Sequence, residues 1–145
     1  MKRLVISAML IMFGAGAVWA DADPIAQRRA LMKDDGAAAK ILFQMNKGDA
    51  PFDLAAAQAA LKTLSNGATD SAALFPADSK TGGGTAALPA SWENKADFDA
   101  RFAKFIKDVA ATIVATKDEA SFKASAPALF QNCGGCHELY KAKSG

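Results

Sequence analysis

The chain has 145 residues, about half of them apolar, enough for one hydrophobic core and too few for two ordinary domains. Its formal charge of +2 includes Lys2 and Arg3; without that pair the 17 basic residues fall level with the 15 acidic ones. No long Lys/Arg run remains, which argues against a nucleic-acid footprint.

Met1-Lys2-Arg3 reads as a charged leader, and the apolar run from Leu4 to Val18 is shorter than the roughly 20 residues a spanning helix needs. Residues 1–20 are therefore expected to be a secretory signal peptide, cleaved after Ala20 or Ala22, and residues 21–145 the single exported domain. The expected compartment is the periplasm.

No stretch of strict alternation supports a strand. From Pro24 to Lys47, apolar residues recur at helical spacing (Ile25, Leu31, Ala38, Ile41, Leu42, Met45), Pro24 suits a first helical position, and Gly48 ends the run. A second helix follows Asp49-Ala50-Pro51, runs through Leu54, Ala57, Leu61 and Leu64, and is expected to stop near Asn66-Gly67. Residues 68–90, with Pro76, Gly82-Gly83-Gly84 and Pro89, read as a long crossover loop. Ser91 is expected to cap a third helix bearing Trp92, Phe98, Phe102, Phe105, Val109 and Ile113 on its apolar side. Asp118 is expected to cap a fourth, carrying Phe122, Leu129, Phe130, Cys133, His137 and Tyr140, with Pro127 as a kink. The fold class is all-α, an antiparallel up-down-up-down four-helix bundle with its long connection between helices two and three.

The chemistry lies in Cys133-Gly134-Gly135-Cys136-His137, the attachment signature of haem c. Cysteines at i and i+3 share one helix face and can each form a thioether to a porphyrin vinyl group, while the adjacent imidazole meets the iron. A disulfide there would close too small a ring to staple anything. A thioredoxin-like pair belongs at a strand-to-helix junction, which is missing, and a zinc site needs four ligands where the chain offers two Cys and one His, so carboxylates would have to complete it. A purely structural helix has no cause to carry two glycines, each costing about 1 kcal/mol relative to Ala. The expected cofactor is one covalent haem c, anchored by Cys133 and Cys136, with His137 as proximal iron ligand.

His137 is the chain's single histidine. Bis-histidine ligation is thus excluded, and the sixth position falls to Met, to a weaker donor such as Lys, or to nothing. Met1, Met9 and Met12 precede the expected cleavage site, leaving Met32 and Met45. At about 100° per residue these two occupy different faces of the first helix, so at most one is a ligand. Met32 has the better claim: Gly36, one turn on, would let a flat porphyrin approach the backbone, and Arg28, one turn back, could reach a propionate. Met45 is better explained as packing. Trp92, Phe102, Phe130 and Tyr140 are candidates for the haem shell. No nucleophile or acid/base pair is legible, so no catalytic residue is assigned and no enzyme is expected.

With a C-terminal haem motif in an exported four-helix pattern, Tyr140-Lys141 behind it, Pro89-Ala90-Ser91-Trp92 opening helix three and Arg28-x-x-x-Met32 in helix one, the chain resembles the class II c-type cytochromes, the cytochrome c′ family. The similarity spans the whole mature chain. In that family the residue four after the helix-one Arg faces the distal side of the haem. Most members carry an apolar non-ligand there, which leaves a five-coordinate, high-spin iron that binds small gases such as NO and CO. A low-spin branch carries Met, and Met32 places this sequence with that branch. The resemblance implies a periplasmic one-electron Fe(III)/Fe(II) carrier with His/Met ligation, the gas binder being the alternative. The expected partners are periplasmic redox proteins, with membrane contact only through them and a homodimer left open. Gly134-Gly135 and Pro127 depart from the family's commonest pattern and leave the path of the last helix open.

Overall fold

The computed structural model describes residues 23–143, so the expected leader lies outside the described residues. Four long helices pack in a closed ring: α1 (Pro24–Lys47), α2 (Leu54–Ala72), α4 (Lys95–Ala115) and α5 (Glu119–Tyr140), with a one-turn α3 (Ala90–Glu93) in the crossover. Helix α1 packs on α2, α2 on α4, α4 on α5, and α5 back on α1. This is the expected four-helix bundle.

The helix ends follow from capping chemistry. Asp23 accepts a hydrogen bond from the Ile25 amide, with Pro24 at the first helical position. Gly48 closes α1 at φ 81°, a left-handed value that glycine adopts without steric cost. Asp53 accepts from the Ala56 amide at the start of α2. At α5, Asp118 and Ser121 form a reciprocal capping box.

Two boundaries differ from the sequence expectation. Helix α2 does not stop at Asn66-Gly67 but continues to Ala72, and Gly67 is a buried interior position. Ser91 does not cap the third long helix; it lies fully buried inside the short α3, and α4 begins only at Lys95. The crossover therefore starts later than residue 68 and contains two pieces of helix, the 3₁₀ turn Ala77–Ser79 and α3. Through Pro127 and the paired glycines, α5 stays one continuous helix.

The core is formed by Leu42, Leu61, Leu64, Val109, Phe122 and Leu129, each 2% exposed or less. At about 1.5–3 kcal/mol per buried large side chain, these residues are what holds the ring of helices closed. Met45 packs among them at 6% exposure, as its position at the helix end suggested. The crossover is tied down at its far end by the C-terminus: the Leu88 amide donates to the Tyr140 carbonyl, and the Ala142 amide to the Ala86 carbonyl.

Candidate haem site

Beside this core lie two adjoining cavities of about 380 and 170 Å³. Met32, Phe102, Cys136 and His137 line both. Met32 reaches the cleft because it stands on the side of α1 that faces α5, and it is 38% exposed, whereas Met45 is sealed in the core. The helical spacing of the haem motif does what the sequence predicts: Cys133 and Cys136 turn toward the same cleft, and His137 stands at its solvent-facing edge.

Burial, with Asp35 as a lesser contribution, raises the Cys133 thiol pKa; burial also raises that of Cys136. Burial, and then the Lys141 charge, lowers that of the His137 imidazole. Its neutral form, which ligates metals, is thereby favoured.

The larger cavity is walled by aromatic rings. Phe98 lies edge-on to Phe75, Phe102 and Tyr140, with centroids 4.7, 5.2 and 5.0 Å apart. At the rim stand Arg29, Lys33 and Lys141. Two hydroxyls on its wall, Ser71 Oγ and Ser91 Oγ, are buried with no hydrogen-bond partner among the described residues. Orphaned hydroxyls in an otherwise apolar pocket are costly unless something polar meets them. The smaller cavity holds Gly36, where an added Cβ would meet nothing within 4 Å. Two free thiols, an imidazole biased toward its neutral form, an aromatic slot, a cationic rim and unmet hydroxyls together fit a porphyrin with two carboxylate arms.

The predicted shell residues divide. Phe102 and Tyr140 line the cleft, and the Tyr140 hydroxyl donates to Asp97. Trp92 lines neither cavity: its indole N–H is committed to the Phe75 and Pro76 carbonyls, at 3.0 and 3.1 Å, which holds the ring behind Phe75. Phe130 also lies outside the cleft, edge-on to Phe43 at 5.5 Å and against the core.

Arg28 borders the larger cavity, but its guanidinium turns to the crossover. It donates to the Leu74 carbonyl, the Ser79 hydroxyl and carbonyl and the Thr85 hydroxyl, at 2.6–2.9 Å, and lies 4.8 Å over the Phe75 ring. With four donors used, Arg28 acts here as a clamp on the crossover, a role its sequence position did not suggest.

Sequence reasoning missed Phe75, Ser71, Asp35, Arg101 and Asn132 as lining residues. Phe75 and Ser71 fell in the stretch read as loop or helix end, so no periodicity pointed to them.

A sequence model of the cytochrome c′ family matches residues 23–141. The chain belongs to the cytochrome c′ family. It is 45% identical to a cytochrome c′ of Rhodopseudomonas palustris, over 97% of both chains, and 39% identical to a cytochrome c-556 of Agrobacterium fabrum, over 99% of this chain and 98% of the relative. The solved structure of a cytochrome c′ from Rhodopseudomonas palustris superposes with a TM-score of 0.82 at 47% identity, over 86% of this chain and 99% of that one. The cofactor of this family is covalent haem c, and Cys133, Cys136 and His137 are the residues here that fit it.

Proposed function

We propose that the chain is a periplasmic one-electron carrier in which His137 and Met32 are the axial ligands and Cys133 and Cys136 the anchors of the haem. The observation that supports this most is the position of Met32, which borders both cavities together with Cys136 and His137. Bound haem supplies the Fe(III)/Fe(II) couple, and Met/His ligation raises its potential. The protein's own contributions are to favour the neutral form of the His137 imidazole and to exclude bulk water with the Phe75, Phe98 and Phe102 rings.

The second reading is a five-coordinate protein that binds NO or CO. It is favoured by the 45% identity to a relative named cytochrome c′ rather than c-556. The ferrous spectrum without added ligand separates the two. Sharp low-spin α and β bands are expected for the carrier, and Met32→Ala should convert them to a broad high-spin band. A broad band in the unaltered protein, or an unchanged spectrum in the variant, would remove Met32 from the iron.

Under the carrier reading the partners are periplasmic redox proteins. A second copy of the chain is a further candidate partner, since Ile41, Phe43 and Leu54 expose 41–48% of their surface on α1 and α2. Sedimentation of the holoprotein tests this, and a monomer at all concentrations would exclude it.

A further inference from the structure

Asp35 is only 7% exposed, and neither of its carboxylate oxygens has a hydrogen-bond partner among the described residues. It lines the smaller cavity, across from Cys133, Cys136 and His137, with its carboxyl turned into the space beside Gly67 of α2. A buried carboxylate without donors or a cation is among the most costly arrangements a fold can hold, and a structural role would be filled better by Asn or Ala. What faces it is therefore informative. From α2 come Leu64 and Gly67, which carry no charge; from α4 comes Arg101, already bonded to Asp97 at 2.7 Å and to the Gly135 carbonyl at 3.4 Å. From α5 come Asn132, His137 and the two cysteines, whose sulfurs are uncharged once bonded to haem. On its own helix the charged neighbour is Asp34, of the same sign. Among the described residues no fixed cation is left to balance Asp35, whereas the cleft it borders is where the iron's charge changes by one unit.

We propose that Asp35 sets the reduction potential of the haem, its carboxylate stabilising the ferric state from the wall of the cleft. The inference rests on the chain's working as an electron carrier. On reduction, one electron passes from a one-electron donor to Fe(III), giving Fe(II). The carboxylate, now without a compensating charge, takes one proton from water, and no other bond is made or broken. Burial, reinforced by the Asp34 charge, pushes the Asp35 pKa up to about 7. The carboxyl therefore sits where a change of charge nearby can tip it between its two forms.

The test is a spectroelectrochemical titration of the holoprotein between about pH 5 and pH 8.5, for the unaltered chain and for Asp35→Asn, which keeps the shape and removes the charge. The unaltered midpoint is expected to fall as pH rises through neutrality. The variant should be flat, meet the parent at the acid end, and favour Fe(II) at least tenfold more at the alkaline end, about 59 mV for a one-electron couple. A folded Asp35→Asn protein with the parent's midpoint at every pH would overturn the proposal. Should that variant yield no holoprotein, a pH-independent midpoint in the unaltered chain would overturn it equally. The spectra recorded in the same titration keep the two ideas apart: a high-spin spectrum counts against Met32 ligation, whereas a low-spin spectrum with an unmoved potential counts against Asp35 alone.

Discussion

Gly67 and Asp35 interlock: a Cβ built at position 67 would lie 2.1 Å from Asp35 Oδ1 and 2.6 Å from Oδ2, far inside contact distance. The missing side chain on α2 is what gives the α1 carboxyl its place in the interior.

Gly67→Ala should therefore destabilise the protein even though alanine is the better helix former. The gain in helix propensity is about 1 kcal/mol. Against it stands an overpacking cost of roughly 1–3 kcal/mol, because the atom in the way belongs to a short side chain with little room to retreat. Urea titration of the holoprotein measures the balance. In an Asp35→Ala background the sign should reverse, since the clash is gone and only the propensity gain remains. Equal losses in both backgrounds would show that the two residues do not compete for one space.

The raised pKa of Asp35 also makes stability depend on pH in an unusual direction. Between the unfolded value of 3.8 and the folded value of about 7, the folded chain keeps a proton that the unfolded chain has lost. Stability is therefore fully present below that window and declines as pH rises through it, by up to about 4 kcal/mol if the whole shift is expressed. Asp108, Asp97 and Asp118 act oppositely. Hydrogen bonds from Lys104, Arg101 and Ser121 respectively lower their pKa values, so their contributions are lost as the solution becomes strongly acid. The ferrous holoprotein should be most stable on the acid side of neutrality, and Asp35→Asn should abolish the decline toward pH 7. Melting temperatures across this range check it; a parent curve that rises steadily to pH 8 would be the contrary result.

Much of this molecule is legible in its sequence, and the parts that are not share a physical reason. The bounds of α1, the bundle and the haem motif follow from signals local to a few residues: a capping Asp, a left-handed Gly, the 3.6-residue period and the fixed spacing of Cys133, Cys136 and His137. Gly67 misleads because a glycine that ends a helix and one that makes room for a neighbouring helix look alike until the neighbour, Asp35, is placed. Ser91 misleads similarly, as a sound cap by type that the fold buries inside a separate turn. Arg28 and Trp92 stand where a cofactor contact is expected, yet both direct their N–H groups to crossover carbonyls that the sequence could not place beside them.

The capping box at α5 gives a local prediction close to the haem-bearing helix. Asp118 accepts from the Ser121 amide at 2.8 Å, while Ser121 Oγ accepts from the Asp118 amide at 3.0 Å. Asp118→Ala should lower stability at neutral pH. The penalty should shrink in acid, where the carboxyl of the parent is protonated too. A penalty that stayed constant down to pH 3 would mean that the charge of the cap contributes nothing.

Arg28 offers the strongest test of how the cleft is held. Removing it by Arg28→Ala would leave the Ser79 hydroxyl and the Leu74 and Ser79 carbonyls without their donor and the Thr85 hydroxyl with the Ala87 amide alone, and would take the cation off the Phe75 and Trp92 faces. A buried charged donor with this many partners is worth roughly 3 kcal/mol or more. Arg28→Lys should recover only part of that, because an ammonium cannot reproduce the planar fork that spans four acceptors. The damage should also be local. The Ser79 and Thr85 amides, which close turns onto Pro76 and Gly82, should lose hydrogen-exchange protection, while core amides such as that of Leu42 lose only what the drop in global stability removes. Uniform loss of protection along the chain would show that Arg28 supports the bundle as a whole and has no particular hold on the crossover.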